Sequence, residues 1–294
     1  MFFLSKIYLN VSLFAYLQKT DSNKMNAKIN KILSFIRIIL KNPSHINLVL
    51  DSQLVMKEEF KKYYPNFMSL SQIDIKQLND EIPENIQSFL LDGSSLITDL
   101  QLLSTLSVRK EVNSYLEIGT WRGESVYNVA KYIDDCTTIN LSKEEMKTMG
   151  LNPKYAEQHG ILSSKNPKIL HLEGHTKNFD FSKLNKKYDL IFIDGDHSYE
   201  MVLNDTKKVF KHLVHDRSIV VWHDYAYNPQ KIRHEVFRAI LDGVGKENHS
   251  YLYHPQNTMC AVFIKDKLTA SPFDEMLIPE KLFNIKIQEE KFKD

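Results

Sequence analysis

The chain has few cysteines, no surplus of either charge, no apolar run long enough to cross a bilayer, and none of the motifs that cradle phosphates in the common nucleotide folds. Only two of its 294 residues are cysteine, Cys136 and Cys260, and neither belongs to a C-x-x-C pair. That argues against a disulfide scaffold, a zinc knuckle and a thioredoxin-type site, and it suits a reducing, cytoplasmic setting. Lysine and arginine total 38 against 37 aspartates and glutamates, a formal net charge of +1. No global field draws the protein to nucleic acid, and no N-P-P-[YF] base-flipping signature is present. No G-x-G-x-x-G occurs, which weakens NAD or FAD as ligand, and no G-K-[ST] follows a glycine loop, which excludes a P-loop. The apolar start, Met1 to Leu17 (MFFLSKIYLNVSLFAYL), falls short of the roughly 20 residues of a membrane span. Lys6 and Asn10 interrupt it, and neither a basic leader region nor a small-residue cleavage site flanks it. It reads as an amphipathic helix that packs on its own domain, on a partner subunit or on a membrane surface.

What is present is a globular composition, 43% apolar and 26% charged, in a pattern of alternating strands and helices. From Lys24 to Lys110 the period is helical, as in KINKILSFIRIILK and INLVLDSQLVMKEEFKKYY, with lysines between apolar residues. Residues 1–110 therefore read as a helical cap or oligomerisation region, which leaves a homo-oligomer open, and no catalytic constellation is visible before Ser114. Ser94 or Ser95 is placed to cap the helix SLITDLQLLSTLSV. Residues 111–267 read as the catalytic domain and 268–294 as a tail.

The organising stretch is Ser114 to Ser125, SYLEIGTWRGES: strand, glycine turn, helix start. Short strands follow in TTINL, KILHLEG, YDLIFID and SIVVW, with helices between them, and YLYHP and MCAVFIK read as an antiparallel pair at the sheet edge. The near-continuous apolar runs are those of parallel strands covered on both faces. The fold class is α/β, a doubly wound, Rossmann-like, mostly parallel sheet of seven strands with an antiparallel edge strand and an N-terminal helical extension. Ligands of such sheets lie beyond the carboxyl ends of the strands. Three of those ends carry polar residues: Glu117 with Gly119; Asp194-Gly195-Asp196-His197; and His223-Asp224. Two acid-histidine clusters beside a glycine turn make a site more plausible than capping residues alone.

The pattern E-x-G-x-x-x-G-x-S resembles the first motif of class I methyltransferases that use S-adenosylmethionine (SAM). Together with TINLSKEEMKTMG, FIDGDHSYEMVLNDTKKVFKHL and VVWHDY, the chain from Ser114 to Lys265 is similar to the bacterial branch that includes sugar and macrolide O-methyltransferases. The resemblance implies SAM held by Glu117, Gly119, Thr120, Trp121, Gly123, Ser125, Asn140, His175 and Asp194. Asn140 stands where many such folds carry the acid that binds both ribose hydroxyls. The resemblance also implies methyl transfer to a hydroxyl of a small molecule or glycan, with His197 and Asp224 as catalytic residues. In several relatives a divalent metal assists, so Mg²⁺ or Mn²⁺ on Asp194, His223 and Asp224 is expected. His223 replaces the acid those relatives often have there, which suits softer divalent ions better than Mg²⁺. A hydroxyl is too weakly acidic to attack a sulfonium methyl unaided, so a base near neutral pKa or a metal is needed. The alternative function is a non-catalytic, cofactor-binding scaffold with a vestigial crevice.

Overall fold

The computed structural model describes residues 22–47 and 53–292, so the helix expected over Met1 to Leu17 lies outside the described residues. The chain divides into two compact units, Met1–Glu58 and Glu59–Asp294. In the first, helix α1 spans Ser22–Lys41 and a single 3₁₀ turn follows at Pro43–Ile46. Helix α2 (Gln53–Tyr63) runs across the boundary. Among the described residues, no helix is long and apolar enough to cross a membrane.

The second unit is built on one sheet. Its strands are β1 (Ser71–Ile73), β2 (Ser114–Ile118), β3 (Asp135–Asn140), β4 (Ile169–Glu173), β5 (Leu190–Ile193), β6 (Ile219–Trp222), β9 (Leu252–Pro255) and β10 (Ala261–Phe263). A separate two-stranded ribbon, β7 (Ala226–Asn228) and β8 (Lys231–Ile232), precedes the last helix. The order across the large sheet is β1-β9-β10-β6-β5-β2-β3-β4. Strands β6, β5, β2, β3 and β4 run parallel, and only β10 is antiparallel to its neighbours β6 and β9.

The sheet thus has eight strands, not seven, and the expected edge hairpin is covered by β1, which pairs parallel with β9. The extra strand is SQI at Ser71–Ile73, inside the stretch expected to be wholly helical. Three residues are too few for a two-residue period to emerge against the helical pattern around them. A further correction concerns helix α3 (Ile97–Ser107). Neither Ser94 nor Ser95 caps it; the Asp99 carboxylate accepts from the Leu96 N–H at 3.0 Å.

Alternate residues of the central strands face opposite layers, and both layers are buried and apolar. Leu116, Ile118, Ile191, Ile193, Val220 and Trp222 join one buried cluster; Tyr115, Leu190, Phe192, Ile219 and Val221 join the other. That is why the strands read as unbroken apolar runs. Helices α7 (Tyr199–His212) and α8 (His234–Val244) cover the first face, with Phe237 and Ile240 in its core. α3 and the short helix α4 (Glu124–Val129) cover the second, through Leu102, Leu106, Val126 and Val129. Two further short helices, α5 (Lys143–Thr148) and α6 (Pro153–Gln158), follow β3. Chain order reverses between β2 and β5, and a crevice opens at such a reversal.

Candidate active site

The glycine turn sits at that reversal, and its glycines are demanded by the chain itself. Gly119 has φ +97°, and a Cβ there would lie 1.9 Å from the carbonyl oxygen of Asp194. Gly123 has φ +80°, and its Cβ would lie 2.0 Å from Ser163 Oγ. The bare turn therefore lets the end of β2 press against the end of β5. We expect Gly119→Ala to displace the Asp194 backbone and to destabilise the fold by about 2–4 kcal/mol, combining a left-handed penalty with overpacking. A urea unfolding midpoint equal to that of the wild type would contradict this.

Glu117, one residue before the end of β2, is fully buried. Tyr115 donates its hydroxyl to Glu117 Oε2 at 2.6 Å, while Oε1 is buried without a hydrogen-bond partner among the described residues. Burial pushes this carboxyl up to about 8, with the nearby negative Asp194 adding to the rise and the hydroxyls of Ser125, Tyr115 and Thr138 opposing it. A buried carboxylate oxygen without a hydrogen-bond partner, near the carboxyl end of a central strand, is suited to a cationic ligand group. Thr120 is buried too, its Oγ1 2.6 Å from Thr138 Oγ1.

The ends of β5 and β6 build the second half. Hydrogen bonds continue beyond the strands, Asp194 N to Ile118 O at 2.8 Å and His223 N to Ile193 O at 3.0 Å, so the three ends step up together. Asp224 then takes a left-handed φ of +58°, which turns its carboxylate back over the strand ends. His223 Nδ1 lies 3.1 Å from Asp194 Oδ1 and 3.1 Å from Asp224 Oδ2. On its other side, His223 Nε2 lies 3.2 Å from Asp99 Oδ2. His197 Nδ1 is 3.1 Å from Asp224 Oδ2, with more than half of its side chain exposed. Arg233 Nη1 is 3.2 Å from Asp224 Oδ1.

Four charged environments follow from this geometry. Burial alone would lower the His223 imidazole, but Asp194, Asp224 and Asp99 more than reverse that and hold it well above its ordinary value. Burial raises Asp194, with Asp224 adding to it, although His223 pulls down. Burial would raise Asp224 as well, yet the hydrogen bonds and charges of His197 and His223 hold it far below the carboxylate range. Its hydrogen bond to Asp224 raises His197, against burial.

The donors of Asp194, His223 and Asp224 all lie within 4.8 Å of one another. Two carboxylate oxygens and one imidazole form a set that suits Mn²⁺ or Fe²⁺ better than Mg²⁺. A cavity of about 10 Å³ opens among Asp194, His197, His223 and Asp224, room for roughly one water or ion. The residues present therefore fit a divalent cation, with Asp99 behind His223 as the partner that fixes the ring.

The remaining sequence-derived residues make contacts of their own. Asn140 Nδ2 is 3.0 Å from His159 Nδ1, and burial lowers His159, so a neutral ring is available to accept. Trp121 stands at φ +44° with its ring 3.9 Å from that of Tyr155, and its Nε1 is buried without a hydrogen-bond partner among the described residues. Ser125 is buried beside Glu117. His175 is tied locally, its N–H donating to Glu145 Oε1 at 3.2 Å and its Nδ1 accepting from Lys177 N at 3.1 Å.

Asp99 corrects the expectation that nothing before Ser114 reaches the site. It lies in the first turn of α3, fully buried, and accepts from Met259 N at 2.8 Å as well as facing His223. In the sequence, an acid in a first helical turn reads as a dipole partner, so the only signal was its position. Arg233 was missed for a related reason: it opens an amphipathic helix whose pattern says nothing of its far side.

Residues 116–225 match the family model of a methyltransferase domain. That stretch contains every site residue that the sequence indicated and excludes Asp99 and Arg233. Among solved structures, the chain is similar to DesVI of Streptomyces venezuelae, at 17% identity over 44% of this chain and 51% of that one, with a TM-score of 0.32. It is also similar to a SAM-bound amino pentose methyltransferase from Micromonospora echinaspora involved in calicheamicin biosynthesis, at 12% identity over 51% and 61% of the two chains (TM-score 0.35). A third is the Podospora anserina methyltransferase with bound S-adenosylhomocysteine, at 16% identity over 60% and 81% (TM-score 0.38). The chain spans only about half to three-fifths of the first two structures, and no curated protein matches its sequence. From Leu116 at the glycine turn to Tyr225 beyond the His223-Asp224 pair, the chain matches a methyltransferase domain, on a doubly wound sheet.

Proposed function

We propose that the protein is a SAM-dependent O-methyltransferase that methylates a hydroxyl of a small molecule or glycan, akin to the sugar and macrolide branch. The observation that carries the reading is the pairing of an accessible histidine with a strand-end carboxylate: His197 Nδ1 lies 3.1 Å from Asp224 Oδ2, beside the crevice that Glu117 and Asp194 close. SAM, when bound, supplies an electrophilic methyl, and a divalent cation on Asp194, His223 and Asp224 would lower the pKa of a coordinated hydroxyl.

The chain's own residues do the rest. Glu117 offers its free oxygen to the cationic methionine end, and Asn140 and Trp121 flank the nucleoside. Asp224 orients the His197 ring through Nδ1, which leaves Nε2 to take the hydroxyl proton. Most of the rate comes from holding the oxygen in line with the methyl carbon and sulfur. His197→Ala is expected to lower turnover by about 10²–10⁴-fold, the usual worth of a positioned general base, with SAM affinity within a few-fold of wild type. Release of S-adenosylhomocysteine with candidate acceptors measures the first, and calorimetry the second. Undiminished turnover would reject the base, and a wild type that takes up no SAM would reject the whole reading.

A further inference from the structure

Helix α1 has a surface of a different kind from the crevice. Over its 20 residues it would extend about 30 Å. Ile29, Ile32, Leu33, Ile36 and Leu40 follow the i, i+3, i+4, i+7, i+11 spacing of one helical face, and all are exposed, from 38% at Ile29 to 77% at Leu40. Lys31, Arg37 and Lys41 fall off that face, on the flank and far side of the helix, where Phe35 and Ile38 are exposed as well. Between Ser22 and Asn47 the sequence has Lys24, Lys28, Lys31, Arg37 and Lys41 and no aspartate or glutamate.

We propose that α1 docks the protein on an anionic membrane surface, lying in the plane of the interface with this aliphatic face in the acyl boundary and its basic arc among the headgroups. The charge decides between occupants. A second copy of α1 would bring Lys31, Arg37 and Lys41 against the same three cations, in a stretch whose sequence from Ser22 to Asn47 holds no acid, whereas helices that zip together use opposite charges beside the apolar seam. Lipid phosphates neutralise that arc instead, and a basic, aliphatic-faced helix too polar to span a bilayer is the form that interfacial anchors take. The proposal is independent of the chemistry assigned to the crevice.

Flotation of the full chain with vesicles tests it. Binding is expected to phosphatidylcholine vesicles containing 30% phosphatidylglycerol, weakening steeply from low to 0.5 M NaCl, with at least tenfold less on pure phosphatidylcholine. Lys31→Gln, Arg37→Gln and Lys41→Gln combined should weaken binding about a hundredfold, at the worth of a basic residue near an anionic surface. Ile32→Glu with Ile36→Glu should abolish it while leaving the thermal melting of the sheet unit unchanged. No binding to anionic vesicles would overturn the proposal. So would equal binding to neutral vesicles, or a wild-type dimer that the Ile32 and Ile36 substitutions turn into a monomer.

Discussion

Glu117→Gln is expected to make the protein more stable at pH 8 while weakening SAM binding by about tenfold to a hundredfold, the worth of a hydrogen bond to a charged group. The carboxyl is buried and its ionisation is pushed up to about 8 from an ordinary 4.5. A carboxyl raised on folding stabilises the protein in full only below its unfolded value. As pH climbs from 4.5 toward 8 the unfolded chain ionises and the folded one does not, so stability falls across that window. The whole interval is worth on the order of 5 kcal/mol, and the amide variant escapes it because it has nothing to ionise. Melting temperatures of the two proteins should therefore coincide near pH 4 and diverge steadily toward pH 8, the variant being higher. A cationic ligand group beside the orphaned oxygen favours the charged form, so binding of SAM at pH 7 should release a proton. That release appears as a calorimetric enthalpy that depends on the buffer's ionisation heat. Parallel pH profiles for wild type and variant would show that Glu117 is ionised in the folded protein at no cost.

The trade has a structural origin. A strand-end acid fully buried against Tyr115, with one oxygen left unpaired, is a poor choice for stability alone. Asp224 shows the same pattern through backbone strain, a non-glycine residue at φ +58°, and such strain collects where geometry serves a ligand. Both lie within the segment that matches a methyltransferase domain.

How much of this was legible in the sequence depended on the range of the interaction. The parallel strands were readable because each is covered on both faces and so must be apolar throughout, as LIFI and IVVW are. Their polar ends were readable for the same reason, since a charge that stops an apolar run marks the edge of the core. Glu117, Asp194, His223 and Asp224 were singled out in this way; the structure brings Asp194, His223 and Asp224 together and keeps Glu117 buried within β2. Strand β1 was not legible, because its hydrogen bonds come from β9 some 180 residues later and nothing local requires it. Asp99 was not legible either: its partners His223 and Met259 lie 124 and 160 positions away. The reason for Gly119 was half legible, since the sequence demands a turn there, yet the atom that forbids a side chain is the carbonyl of Asp194 on another strand.

Asp224→Asn should lower turnover by about 10²–10⁴-fold and destabilise the fold by about 3–5 kcal/mol at pH 7, the usual consequence of taking one partner from a buried charge cluster. Asparagine keeps the shape and tolerates a left-handed backbone, so the loss isolates the charge. His197, His223 and Arg233 all face this carboxylate. Because its folded value lies far below the ordinary one, its stabilisation is complete above about pH 4 and disappears only as pH falls through strong acid. The gap in urea midpoint between wild type and variant should accordingly be widest near neutrality and shrink toward pH 2. His197 reports the same loss from the other side: its imidazole is raised chiefly by the hydrogen bond to Asp224. In the variant its NMR titration should move down, because burial and the positive Arg233 then dominate. Asp196→Asn is the contrast, since that acid is exposed and accepts mainly from Ser198 N at 2.7 Å, so its removal should shift stability by about 1 kcal/mol or less. An Asp224→Asn protein whose His197 titrates as in wild type would show that the two side chains are not coupled, and the orienting role of Asp224 would fall with it.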